Sequence, residues 1–266
     1  MIRRPYHDGW VLINQKDHAA LSGALMARWG NSNFFFPIPR EEVVFGIAQH
    51  DSGWDDWDRA PEIHAETGYP LQFTELTSDA YSTIWRRGVE HHRKTHPYAS
   101  LLIASHTAYL ARCRLERMRE EEPSGVEVES LEAFLADLEN IRVEIADALE
   151  AKGEGESDQL EAETRANFRL LQVGDLVSLK FCCGLSEPFT VDQVPAQEIG
   201  ASHSVTFEPV DNETLVVTPY PFSEPDVGVA VPGRILRQKV FASSQELRDH
   251  LHGADHLTLS LRLIPV

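Results

Sequence analysis

Histidine and aspartate residues interrupt the apolar side of several segments whose spacing is helical. The interrupting residues are His18, the pair His50 and Asp51, His106 and Asp175, and no lysine or arginine stands among them. An ionised carboxylate at a core-facing position is costly unless a cation or a metal ion neutralises it. Three imidazoles and two carboxylates form a ligand set that suits zinc, iron, manganese and similar divalent ions. We therefore predict that these five side chains converge on one or two divalent transition-metal ions.

Each of these residues also has an ordinary structural interpretation. A single buried histidine is usually a hydrogen-bonded core residue, and Asp175 could pair with a buried arginine. The dipeptide His50-Asp51 is a pattern that arises often by chance. The metal prediction therefore rests on all of these residues lying on helices of one unit. His91 and His92 are left open as companions at a second ion. The other histidines are predicted to lie at the surface, namely His7, His64, His96, His203, His250, His252 and His256.

Aromatic and acidic side chains directly follow the His-Asp pair in the segment "FGIAQHDSGWDDWD", residues 45–58. Trp54 and Trp57 could form an apolar wall for a base or a sugar ring, or could simply pack the loop onto the helices. Arg86 could hold an anionic group, or could be a solvated arginine on a helix surface. We predict Trp54, Trp57 and Arg86 as substrate contacts.

Helical periodicity dominates the first 184 residues, and these helices must position the candidate ligands. Apolar residues recur there at i, i+3, i+4 and i+7 spacing. The predicted helices cover residues 17–29, 39–53, 79–92, 97–118, 131–149 and 158–183. Residues 2–14 are predicted as a short strand or hairpin, and residues 54–77 as a long loop, a kind of segment that is often functional.

The composition of the sequence changes at Leu185, where runs of β-branched residues and prolines become frequent. The runs "SVTFEPV", "TLVVTPYPF" and "LTLSLRLI" predict strands, and Ser243 followed by Glu246 is a capping-box pattern for a short helix. The sequence therefore predicts a mainly α chain. A helical metal-binding domain covers residues 1–184, and a β-rich C-terminal subdomain covers residues 185–266.

Composition limits the classes of partner. The chain has 266 residues and a net charge of −18, which repels phosphate backbones and predicts no nucleic-acid binding. No apolar run is long enough to span a bilayer, and the N-terminus lacks a signal-peptide pattern, so we predict no membrane partner. Three cysteines, two of them adjacent, fit a reducing cytoplasm. The expected partner is a small-molecule substrate, and formation of a homodimer is left open.

The order of His18, then His50-Asp51, then Asp175 resembles the HD-domain superfamily of metal-dependent phosphohydrolases. The stretches "QKDHAALSGALMARWG", "HDSGWDDWDRAP", "PYASLLIASH" and "LLQVGDLVSLKFCCG" are also similar to a bacterial family with no assigned function, over the whole chain. The superfamily resemblance implies an HD-type helical bundle, here followed by a small β-rich C-terminal unit.

The same resemblance implies a reaction. It implies hydrolysis of a small phosphorylated compound by a metal-activated water. Asp51 would bind or bridge metal ions or orient the water, and His106 would bind a second ion or donate a proton to the leaving oxygen. A lysine that many HD enzymes carry after the His-Asp pair is missing, since "SGWDDWD" follows it here. Two alternatives therefore stay open: a di-iron oxygenase with an HD fold, and a non-enzymatic protein with a structural metal.

Overall fold

Long helices form where apolar residues recur at a helical period. The computed structural model describes residues 1–120, 125–151, 157–198 and 200–266. Its α-helices are α1 (Gln15–Met26), α2 (Arg40–Ala48), α3 (Asp55–Arg59), α4 (Ser78–His92), α5 (Pro97–Glu120), α6 (Gly125–Glu150), α7 (Ser157–Cys183) and α8 (Ser244–His252). In α6 the buried stripe runs from Leu131 to Leu149 at steps of three and four residues, as predicted. The predicted start of α5 at Pro97 is also confirmed.

Seven strands form a single mixed sheet within the described residues. They are β1 (Ile2–Tyr6), β2 (Gly9–Ile13), β3 (Phe189–Pro195), β4 (Ser202–Pro209), β5 (Thr214–Thr218), β6 (Val227–Leu236) and β7 (Asp255–Ile264). Their order across the sheet is β1-β2-β6-β7-β5-β4-β3. The pair β5 and β7 is parallel, whereas the other neighbours are antiparallel.

The predicted fold class, a mainly α HD-type bundle followed by a small β-rich unit, is wrong. Helices make up 52% of the residues, and the sheet is large and curled like half of a barrel, so the chain is not an all-α bundle. The N-terminal hairpin is part of that sheet, because β2 pairs with β6 and is buried along its whole length. Local patterns identify strands but not their distant hydrogen-bond partners, and this is why the extent of the sheet was missed.

The predicted domain boundary at residue 184 lies directly after the last residue of α7. One hydrophobic core nevertheless contains residues from both sides of this position, including Val11, Leu171 and Leu263. The division into two domains stays a prediction. The short helix predicted from Ser243 and Glu246 is confirmed, since the Ser243 hydroxyl accepts from the Glu246 N–H at the start of α8.

Two glycines allow close packing of the segments around the candidate ligands. Gly174 on α7 faces α1, where an added Cβ would lie 2.6 Å from Ser22 Oγ. Gly53 follows the His-Asp pair and touches α4, where an added Cβ would lie 2.1 Å from the carbonyl oxygen of Ile84. A side chain at Gly53 would therefore push this turn away from α4. None of the described helices is long and apolar enough to cross a bilayer.

Candidate metal centre

His50 and Asp51 lie in a turn beyond a helix, not within the helix that was predicted to reach Gly53. The helix α2 ends at Ala48, and Gln49 and Asp51 have φ,ψ values of −114°, 6° and −107°, 19°. Consecutive residues in a helix point about 100° apart, so they cannot both face one site closely. Leaving the helix lets both side chains turn inward, where they are 6% and 8% exposed.

The other candidate ligands come from three helices that pack around this turn. His18 lies on α1, His106 on α5 and Asp175 on α7. Their closest contacts are short: His18 Nε2 is 2.9 Å from Asp51 Oδ2, and His106 Nε2 is 3.5 Å from Asp175 Oδ2. The structure therefore brings together all five residues that the sequence analysis singled out.

The spacing of the donor atoms fits a shared ion. His50 Nε2 lies 3.4 Å from Asp175 Oδ1 and 3.7 Å from Asp51 Oδ2, and His18 Nε2 lies 3.7 Å from Asp175 Oδ1. Atoms bound to one ion at about 2.1 Å are about 3.0 Å apart at a right angle and about 3.4 Å apart at a tetrahedral angle. These residues form two overlapping groups with metal-ligand spacing, His18-His50-Asp51 and His50-His106-Asp175.

Hydrogen bonds behind the site orient two of the rings. His50 Nδ1 donates to the carbonyl oxygen of Ile47 at 2.7 Å, which leaves Nε2 as the free nitrogen. His18 Nδ1 lies 2.9 Å from Ser178 Oγ, and that hydroxyl donates to the backbone oxygen of Asp175 at 2.9 Å. Outer contacts of this kind are the usual way in which proteins fix the tautomer of a ligating histidine.

An unpartnered nitrogen marks the centre of the cluster. Within the part of the chain that the structure describes, the buried Nε2 of His50 has no hydrogen-bond partner although it faces two carboxylates. Burial opposes the charged form of His50, but Asp51 and Asp175 outweigh it and raise the pKa of His50 to about 9. Burial likewise raises the pKa values of these two carboxyls, but the surrounding imidazoles outweigh burial and hold both pKa values low. Two carboxylates, Asp51 buried and Asp175 partly buried, beside the imidazole nitrogen of His50 fit a divalent cation.

His106 differs electrostatically from His50. Its burial lowers its pKa to about 4, and the carboxylate of Asp175 offsets this effect only in part. His106 is therefore neutral near pH 7, which suits a ligand or a proton acceptor better than a proton donor. Its Nδ1 is buried and has no hydrogen-bond partner among the described residues.

A cavity of about 280 Å³ opens beside the five residues. Trp54, Tyr81 and Trp85 form one wall, with Trp54 and Tyr81 centroids 6.2 Å apart and those of Tyr81 and Trp85 5.0 Å apart. A larger cleft of about 450 Å³, lined by Leu12 and Arg234, contains none of the five residues. The cavity at the His-Asp cluster therefore combines space for a small molecule with candidate ligands.

The structure separates the predicted substrate contacts. Trp54 lines the cavity, whereas Trp57 and Arg86 are not part of its lining. The Arg86 guanidinium instead pairs with Asp137 on α6. The stretch containing His91 and His92 also lies apart from the cluster, and the His92 ring packs edge-on to Phe45 at 5.0 Å.

Several residues that line the cavity were missed by the sequence analysis. They are Gln15, Phe73, Thr74, Tyr81, Trp85, Leu179 and, along α5 after His106, Leu110, Cys113, Arg114 and Arg117. The Oε1 atom of Gln15 is buried and finds no hydrogen-bond partner in the ranges that the structure describes. Arg114 and Arg117 continue the α5 stripe that contains His106, so extending that periodicity by two turns to Arg114 and by three turns to Arg117 would have found them.

The family model described as "Protein of unknown function (DUF3891)" matches residues 1–238. The chain belongs to this family. No curated protein matches the chain, and neither does any solved structure. Membership of the DUF3891 family assigns no reaction or ligand to the chain. The resemblance to the HD-domain superfamily stays a prediction.

Proposed function

We propose that this chain is a metal-dependent hydrolase that acts on a small phosphorylated compound. The observation that carries the proposal is the set of three buried imidazoles, one buried carboxylate (Asp51) and one partly buried carboxylate (Asp175) beside a cavity. The order of His18, His50-Asp51 and Asp175 adds support through its resemblance to the phosphohydrolases of the HD-domain superfamily.

The chain's own residues would have distinct tasks. His18, His50 and Asp175 would hold the ion, and Asp51 Oδ2 lies close enough to His18 and His50 to share in holding it. A divalent ion bound there would polarise a phosphoryl oxygen and acidify a water molecule. Because a carboxylate has two oxygens, the second oxygen of Asp51 would accept a proton from that water. Neutral His106 would ligate or accept a proton at Nε2.

His50 can bind only one metal ion. His50 Nδ1 is engaged by Ile47, so His50 has only Nε2 to offer and serves one ion. A second ion would need the remaining oxygens of the carboxylates together with His106 or His18. The di-iron oxygenase alternative depends on that second ion.

The cavity favours catalysis over a purely structural metal. Structural sites are closed on all sides by protein ligands, whereas catalytic sites keep a position open for water or substrate. Here the candidate ligands themselves line the cavity. Trp54, Tyr81 and Trp85 would limit water on one side, which strengthens electrostatic interactions with a bound substrate.

We also propose a cellular compartment and a class of binding partner. Free thiols at Cys113, Cys182 and Cys183 support a reducing cytoplasm as the compartment. We propose a small-molecule substrate, with neither nucleic acid nor membrane as partner, and formation of a homodimer stays open.

Metal analysis combined with an activity assay tests the proposed function. The full chain, purified without added metal, is expected to carry a divalent ion and to hydrolyse p-nitrophenyl phosphate. Removal of the ion with a chelator, or the substitution Asp175→Asn, is expected to abolish hydrolysis. Two irons without phosphatase activity would support the oxygenase instead. A tightly held ion without any turnover would support the structural role, and phosphatase activity that survives complete metal removal would contradict the proposal.

A further inference from the structure

Two arginines on the wall of the metal cavity have no role in the function described so far. Arg114 and Arg117 follow His106 along α5 at helical spacing and line the same cavity. We propose that Arg114 and Arg117 form an anion-binding subsite that holds the phosphate group of the substrate. This inference rests on the proposed function, because it names the group by which that same site recognises its substrate.

Neutral groups hold the half-buried guanidinium of Arg114 in place. Its Nη2 donates to the Leu76 carbonyl oxygen at 3.3 Å and to Ser78 Oγ at 3.2 Å, and Nε donates to the same hydroxyl at 3.4 Å. Its Cζ lies 4.4 Å from the centre of the Tyr81 ring. Among the described residues nothing accepts a hydrogen bond from Nη1, so two N–H groups are available to a ligand. The Arg114 side chain is thus held in position before a ligand binds, and it still has hydrogen-bond donors to offer that ligand.

Among the described residues, the two arginines at this wall are not paired with a carboxylate. In the ranges that the structure describes, neither Arg114 nor Arg117 forms an ion pair with a carboxylate, whereas Arg112 on the same helix pairs with Glu139 at 3.6 Å. A partly buried charge without an opposite charge is costly. Binding of an anion in the cavity would neutralise this charge and remove that free-energy cost.

Guanidinium groups favour a phosphate for geometric reasons. The planar fork of N–H donors matches two oxygens of a phosphate or a carboxylate, and phosphate carries the larger charge. Arg117 is exposed at the cavity mouth, one helical turn beyond Arg114, and adds a second cation there. In a chain of net charge −18, an anionic substrate needs such a local cationic region. These arginines would serve in place of the lysine missing after the His-Asp pair.

Binding of inorganic phosphate to the full chain tests the subsite without relying on turnover. Calorimetry and tryptophan emission would follow the titration, since Trp54 and Trp85 line the cavity. Arg114→Met is expected to weaken phosphate binding about 10- to 100-fold, as for the loss of charge-assisted hydrogen bonds. Arg117→Met is expected to weaken it about 3- to 10-fold, because that side chain is exposed. Arg112→Met is the matched control and is expected to leave the affinity unchanged.

The outcomes separate this inference from the proposed function. Unchanged phosphate affinity in both Arg114→Met and Arg117→Met, with unchanged metal content, would overturn the subsite and leave the metal-dependent hydrolase intact. Acetate binding as tight as phosphate binding would also overturn it. If the wild-type chain binds no metal, the proposed function fails, while phosphate binding by the metal-free chain still decides the role of the arginines. Should Arg114→Met not fold, the exposed Arg117 provides the deciding variant.

Discussion

Protons and metal ions are expected to compete for one nitrogen, Nε2 of His50. The carboxylates of Asp51 and Asp175 outweigh the effect of burial and raise the pKa of His50 to about 9 in the metal-free chain. The same two carboxyls have lowered pKa values and are already ionised near pH 7. His106 is already neutral there, because burial lowers its pKa to about 4. Between pH 6 and 8, His50 is therefore the residue among these four that must lose a proton before it can bind an ion.

The size of the effect follows from this pKa. With a pKa of about 9, roughly 1% of His50 is neutral at pH 7, so the apparent metal affinity is about 100-fold below its value at high pH. The affinity is expected to rise about tenfold for each pH unit from 6 to 8 and to level off above about 9. About one proton should leave His50 for each ion bound.

Calorimetric titration of the metal-free chain with zinc measures both quantities. Repeating the titration in two buffers of different ionisation enthalpy gives the number of protons released. His96→Gln serves as a control, because His96 contacts Glu42 away from the cluster and should not change the slope. A metal affinity that does not vary between pH 6 and 8, with no proton released, would refute the assignment of His50 as a protonated ligand.

Three further predictions concern the surroundings of the site. Ser178→Ala removes the hydroxyl 2.9 Å from His18 Nδ1 and is expected to reduce metal affinity about 10-fold, measured by competition with a chelating dye; an unchanged affinity would argue that the ring is held by packing alone. Gly53→Ala forces a Cβ against the Ile84 carbonyl and is expected to cost about 1–3 kcal/mol in the free energy of unfolding. The control Gly228→Ala, where an added Cβ meets no atom within 4 Å, should change denaturant unfolding far less, and equal effects would contradict the close-approach argument. Arg86→Met should leave the KM for p-nitrophenyl phosphate unchanged, because Arg86 pairs with Asp137 outside the cavity. A raised KM would instead indicate that Arg86 contacts the substrate.

The sequence was informative about the ligands because buried polar residues are rare and conspicuous. His18, His106 and Asp175 each stand on an apolar stripe, and the helices that carry them have boundaries close to those predicted. Their types, together with their predicted placement on helices of one unit, indicated a shared cation, since an unpaired carboxylate in a core is costly. The structure brings them together, and their binding of a metal stays a prediction.

The sheet could not be predicted to the same extent. The N-terminal hairpin was predicted, but nothing local in β2 indicates that its free edge pairs with β6 more than 200 residues later in the chain, where Trp10 is opposite Leu236. The pattern of a strand identifies its buried faces, whereas the partner of its backbone groups depends on the whole topology. This is the physical reason that a helical bundle with a small β unit was expected instead of a seven-stranded sheet.

Helix ends and cavity arginines were missed for more local reasons. The spacing from Val43 through Ile47 to His50 continues a helical pattern, although the chain leaves the helix at Ala48. Arg114 and Arg117 stand among other charged residues near the end of α5, where solvated arginines are common. The α5 periodicity extends to both arginines, but it does not show what they face, and the Tyr81 ring of α4 lies beside Arg114 in the structure.

The most direct test of the central claim is a crystal structure of the full chain with its purified metal, recorded with anomalous scattering at the metal edge. The account predicts an anomalous peak at about 2.0–2.2 Å from His50 Nε2 and from the carboxylate of Asp175. It also predicts a coordination position that is open towards the cavity. A metal-replete crystal without a peak between these residues, or with its peak elsewhere in the chain, would contradict the account.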